Sequence, residues 1–163
     1  MDESEFDLAG AYVAGIIDSG SAITVSVTKN KDSRLGYRIT PEIRLRRKNP
    51  EVLSILDSWA MDQGVNGKIH QMGDSLEWRL SSRDGVRNFL EALQPYLIVH
   101  DNSAQILLTE VLPRLEDGVH NDKEGFLKIV EYADMIRDER SSPSAKYDVD
   151  YFEDLWEIEL KES

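Results

Sequence analysis

The chain has no cysteine, so disulfide frameworks and thiolate metal sites are excluded. It also has no apolar run long enough to cross a bilayer. The opening Met1-Asp2-Glu3-Ser4-Glu5 carries the wrong charge for a secretory signal. A cytoplasmic protein without a membrane partner is the expectation. Glycine-rich phosphate loops, a His-x-x-x-His pair and a nucleophilic-serine elbow are all missing, which removes three common enzyme readings. The 163 residues suffice for one domain with a sizeable core.

Positive charge is scarce, with 19 Lys and Arg against 31 Asp and Glu and a net charge of −12. It is also unevenly spread. Residues 101–163 hold 17 acidic and 7 basic side chains, whereas residues 21–48 hold 8 basic and 2 acidic ones. A basic block in an acidic chain is the footprint of an anionic partner. The acidic remainder fits either a solvated surface that suppresses non-specific binding or the salt-rich cytoplasm of a halophilic archaeon. In the second case phosphate contacts weaken steeply with salt, and base and shape contacts gain weight.

Phe6 to Ile17 reads as a helix capped by Ser4, apolar on all sides and therefore buried. Ala22 to Thr28 and Gly36 to Lys48 alternate with period two, as half-buried strands do. Pro41 within the second implies an edge or a bulge. Asn49-Pro50 opens a second helix that Gly64 ends. Lys68–Met72 and Leu76–Leu80 form a hairpin, followed by helices over 82–99, 102–115 and 121–140. The expected domain covers residues 1–140. Residues 141–163 form a linker and an acidic helix, 148–160, docked through Phe152, Leu155 and Trp156.

This order predicts an α+β fold with a four-stranded antiparallel sheet, one face covered by helices and the other polar and basic. The stretch Tyr12-Val13-Ala14-Gly15-Ile16-Ile17-Asp18-Ser19-Gly20-Ser21 resembles the motif helix of LAGLIDADG homing endonucleases. Arg46-Arg47-Lys48-Asn49-Pro50-Glu51-Val52-Leu53 resembles the segment after that family's second strand. Phe89-Leu90-Glu91-Ala92-Leu93-Gln94-Pro95-Tyr96-Leu97 resembles its aromatic-Leu…Leu-x-Pro-aromatic-Leu segment, and 104–113 the helix that follows. The resemblance spans residues 6–136. It implies the αββαββα fold with extra C-terminal helices and a saddle-shaped sheet over double-stranded DNA. With one motif per chain it implies a homodimer. The motif helices would pair through small residues, Ala11 with Gly15 and Gly10 with Ala14.

The family's reaction is phosphodiester hydrolysis assisted by Mg²⁺ held on an acidic residue at the foot of each motif helix. That pattern is Asp-small-Asp-Gly. Here it reads Asp18-Ser19-Gly20-Ser21, so Gly20 stands where the carboxylate is expected. Asp18 is the one candidate metal ligand left. Two further positions carry over. The water-positioning polar residue is Arg47, which cannot act as a base at neutral pH, and the basic residue, normally lysine, is His100.

On the sheet, parity puts Thr24, Ser26, Thr28 and Asn30 on the face that carries Arg38, Thr40, Arg44 and Arg46, with Lys68, His70, Glu77 and Arg79 continuing it. These residue types read base edges and phosphates. Arg38, Arg44, Arg46 and Arg79, without matching acids, would repel one another unless an anion lay between them. Three functions stay open: a DNA-binding protein with a degenerate nuclease centre, regulatory or left by a mobile intron or intein; a working Mg-dependent endonuclease that uses Asp18; and an acidic protein-interaction domain.

Overall fold

The computed structural model describes residues 7–20, 22–139 and 145–158. Helix α1 (Leu8–Asp18) leads into a hairpin of β1 (Ile23–Lys29) and β2 (Tyr37–Arg47). Helix α2 (Pro50–Asp62) and a second hairpin, β3 (Lys68–Met72) with β4 (Ser75–Leu80), follow. Then come α3 (Arg83–Leu93), α4 (Asp101–Ile106), α5 (Leu112–Glu116), α6 (Lys123–Glu139) and α7 (Val149–Trp156). The strands are antiparallel in the order β1-β2-β4-β3. Period-two burial puts Ile23, Val25, Ile39, Ile43, Leu45, Trp78 and Leu80 against the helices. Trp78 is fully buried and donates its indole N–H to Asp57 over 3.0 Å.

Asp7, not Ser4, takes the N-cap position of α1; Ser4 and Phe6 lie outside the described residues. The Asp7 carboxylate accepts the Trp59 indole N–H at 2.6 Å and ties the entry of α1 to α2. That bond, followed by the backbone N–H of Gly10, holds its pKa below the ordinary value despite partial burial. At α2, Asn49 accepts from Glu51 N and Pro50 occupies the first turn, as the sequence pattern requires.

Pro41 sits inside a central strand, and the register explains how. Arg44 N donates to Ala22 O, so even-numbered residues of β2 point their N–H groups at β1 and odd-numbered ones point away. Pro41 pairs with Val25 on β1, while pairing with β4 begins only at Ile43. The missing N–H therefore faces a local edge. Pro113 has a comparable effect between α4 and α5. It has no N–H for the carbonyl of Thr109, and a π-helical turn, Leu107–Val111, precedes it.

Helix α7 docks through Phe152, which is fully buried among Tyr37, Phe126, Tyr147 and Trp156. The helix stops at Trp156, before Glu157 in the left-handed region, and Leu155 is exposed rather than docked. The expected linker 141–144 and the last expected turn, 159–160, lie outside the described residues. Tyr37 and Tyr151 share a 2.6 Å hydrogen bond. It pushes the Tyr37 phenol up to about 12, with burial and the neighbouring tyrosines adding to the effect. The folded pKa lies above the unfolded value near 10, so this contribution is complete below about pH 10 and lost as pH rises through about 12. Alkaline titration followed by tyrosinate absorbance should show one late-titrating tyrosine fewer in Tyr37→Phe than in the wild type.

Candidate nucleic-acid interface

The pairings Thr24↔Glu42, Ser26↔Thr40 and Thr28↔Arg38 hold one face across β1 and β2. Arg44↔Arg79 and Arg46↔Glu77 carry it to β4, and Lys68↔Arg79 and His70↔Glu77 carry it to β3. Thr28, Arg38, Arg46, Lys68 and His70 are exposed on it, and Ser26, Thr40, Arg44 and Arg79 are half-buried. Asn30 is half-buried just beyond β1, where its side chain accepts from Asp32 N.

Two expectations need correction. Thr24 is only 3% exposed and belongs to the floor of the face, not to its contact surface. Two of the four arginines, Arg44 and Arg79, do have matching acids. Glu42 lies 3.9 Å from Arg44 Nε and 3.7 Å from Arg79 Nε, and accepts the Ser26 hydroxyl at 2.6 Å. Glu77 pairs with Arg79 at 3.0 Å. Both carboxylates are buried beneath the guanidinium groups, so Arg44 and Arg79, directly opposite each other, are held together by the acids between them. Arg38 and Arg46 have no ion pair among the described residues. The face keeps five cations over two carboxylates and remains basic.

The foot of α1 brings Asp18, Gly20, Arg47 and His100 together. Asp18 has one oxygen on Ile98 N at 2.7 Å and the other on His100 N at 2.9 Å. A carboxylate at a helix C-terminus opposes the dipole, and here the two backbone donors compensate. His100 is buried, and its Nε2 lies 2.5 Å from Gly20 O. A carbonyl only accepts, so Nε2 carries the proton and is spent as a base. Arg47 donates to Arg46 O at 2.8 Å and to Ser19 Oγ at 3.3 Å. Ser19 in turn donates to Ile16 O.

These residues do not fit a divalent metal. Both Asp18 oxygens are occupied, Gly20 offers no side chain, and a guanidinium stands alongside. Among the described residues no three His, Asp or Glu side chains cluster in a way that could hold an ion. In this arrangement Asp18 tethers α1 to the 97–100 segment. Hydrogen bonds to an ionised acceptor contribute about 1.5–3 kcal/mol each when well shielded. After discounting for solvent, Asp18→Ala should cost about 2 kcal/mol, read as a fall in the urea midpoint, and should free the amides of Ile98 and His100 to exchange faster.

The remaining feature is α1 itself, which is not buried all round. Val13, Ala14, Ile16 and Ile17 face the core, whereas Leu8 is 76% and Tyr12 50% exposed. With half-buried Ala11 and exposed Gly15 and Ser19 they form one stripe at helical spacing. A Cβ on Gly15 would meet nothing within 4 Å, whereas one on Gly10 would meet Asp7 and Trp59. The two small pairs therefore differ: Ala11–Gly15 lies on the open stripe, while Gly10–Ala14 faces inward. Ala14 is 0% exposed and cannot face a partner. Leu8 and Tyr12, which the sequence pattern did not single out for the interface, complete the stripe. No helix among the described residues is long and apolar enough to cross a membrane.

The four-stranded sheet under these helices, with its polar face open, is the LAGLIDADG homing-endonuclease fold. The homing endonuclease I-CvuI, solved in complex with the I-CreI target, superposes with a TM-score of 0.79 at 18% identity, over 92% of this chain and 93% of that one. The archaeal intron-encoded I-Vdi141I, complexed with DNA, gives 0.74 at 21% identity, over 91% and 96%. In sequence the chain is similar to the DNA endonuclease I-CreI of Chlamydomonas reinhardtii, 23% identical over 131 residues, which are 77% of this chain and 74% of that protein. No protein-family profile matches the sequence.

Proposed function

We propose that this chain is a LAGLIDADG-type protein that binds double-stranded DNA as a homodimer and does not cut it. One observation carries the reading: the open sheet face presents Arg38, Arg44, Arg46, Lys68 and Arg79 in register, floored by buried carboxylates, with Ser26, Thr28, Thr40 and His70 between and beside them. A twisted antiparallel sheet of this chemistry complements phosphates and major-groove base edges. The open stripe of α1 supports pairing of two copies, which would set two such sheets side by side over two half-sites. Residues 7–139 carry both surfaces, and α7 is an addition to the same domain. The departures at Gly20, Arg47 and His100 support binding without hydrolysis.

A second reading rests on the convergence of Asp18, Arg47 and His100 at one point. In that case the chain is a nuclease, Asp18 must leave its two amides to take up Mg²⁺, and cleavage must vanish in Asp18→Asn. DNA retention on a gel, measured from low to high salt, separates both from an acidic protein-interaction domain. Retention that falls linearly with log salt supports DNA binding. No retention at any salt overturns it.

A further inference from the structure

Arg47 is the last residue of β2, on the face that buries Ile43 and Leu45, and its guanidinium reaches across to the end of α1. The last carbonyls of a helix carry partial negative charge, which holds a cation at that point. Ser19 Oγ relays this attraction by bonding Ile16 O on one side and Arg47 Nη2 on the other. A Cβ on Gly20 would lie 4.0 Å from Arg47 Nη2 and meet nothing nearer. The guanidinium therefore borders the space that a carboxylate at position 20 would enter. No acidic side chain among the described residues pairs with Arg47. A guanidinium also has more donors than its two bonds use. The site lacks a place for a divalent metal yet keeps a fixed cation with spare donors.

We propose that Arg47 is a built-in phosphate-binding group that takes over the electrostatic share of the missing metal, so that DNA is held at the foot of α1 without any divalent cation. This rests on the DNA-binding reading. Arginine suits the role: it stays charged, grips a phosphate through two parallel N–H donors and has no proton equilibrium with which to activate water. The same substitution that removes hydrolysis would then retain the grip.

The test is a gel-retention titration of the wild type, Arg47→Gln, Arg47→Lys and Gly20→Asp on a pool of random-sequence duplexes, in EDTA and in Mg²⁺. The wild type should bind equally in both. Arg47→Gln should bind about tenfold more weakly for each protomer engaged, the loss of one charge-assisted contact per protomer. Its slope of log affinity against log salt should flatten by about 0.9 per protomer. Arg47→Lys should keep the slope. Gly20→Asp, which sets a carboxylate beside the guanidinium, should reproduce the Arg47→Gln loss in EDTA while leaving the urea midpoint near that of the wild type. If the wild type binds but needs Mg²⁺, or if Arg47→Gln and Gly20→Asp leave affinity and slope unchanged, the role of Arg47 is overturned and DNA binding by the sheet stands. If the wild type binds no duplex at any salt, both fall together.

Discussion

If the chain pairs through α1 as proposed, Gly15→Leu is expected to leave it monomeric without unfolding it. The open space around the Gly15 Cβ admits a leucine within one protomer. Replacing a mid-helix glycine should raise the stability of that protomer by about 0.5–1 kcal/mol. Between protomers the same leucine holds the backbones apart, and the two helices can no longer meet at Ala11 and Gly15. DNA affinity should fall by roughly 10²–10⁴, since two half-sites then bind independently. Ala14→Leu is the contrasting variant. Ala14 is buried in its own subunit, so overpacking there should cost about 1–3 kcal/mol. Light scattering with urea unfolding checks both, and the expected result is a stable monomer for Gly15→Leu and a destabilised chain for Ala14→Leu.

Arg38→Gln combined with Arg46→Gln should remove a large share of the salt-sensitive affinity while leaving the fold intact. Both side chains are exposed and lack an acidic partner among the described residues, so nothing buried is orphaned. With two phosphate-neutralising cations removed from each protomer, the salt slope of a dimer should flatten by about 3.6. The same exchange at Arg44 and Arg79 should behave differently. It leaves Glu42 and Glu77 buried without their cations, a situation that costs about 3–5 kcal/mol when complete and less here, where the guanidinium groups are partly solvated. Those variants should lose stability as well as affinity. Parallel melting curves and retention titrations distinguish the two pairs.

These two predictions rest on features of unequal visibility in the sequence. The sheet was legible because alternation is local: 22–28 and 37–47 show period two, and once strand parity is known the shared face follows. Two of the acid pairings follow from strand parity alone, since Glu42 with Arg44 and Glu77 with Arg79 stand two residues apart on one face of their own strands. The third, Glu42 with Arg79, was not legible, because it depends on the register between β2 and β4, which core packing determines. The two sides of α1 were hidden for another reason. Leu8 is as apolar as Val13 and Ile17, and Tyr12 presents a large apolar ring, so composition cannot tell a face that packs on its own core from one left open. Ala14 consequently read as an interface residue. Asp18 read as a ligand because its partners, the amides of Ile98 and His100, lie about 80 residues away in sequence. Backbone donors leave no trace in side-chain pattern. Gly20 and Arg47, by contrast, stood out as departures before their proximity was known.

The central claim is binding without hydrolysis, and incubation of the wild-type protein with a duplex library in Mg²⁺ or Mn²⁺ tests it most directly, by sequencing the retained and the cut fractions. The account predicts retained duplexes that remain full-length, with the same recovery from Asp18→Asn protein that is still folded. Site-specific double-strand cuts that disappear in Asp18→Asn would contradict it.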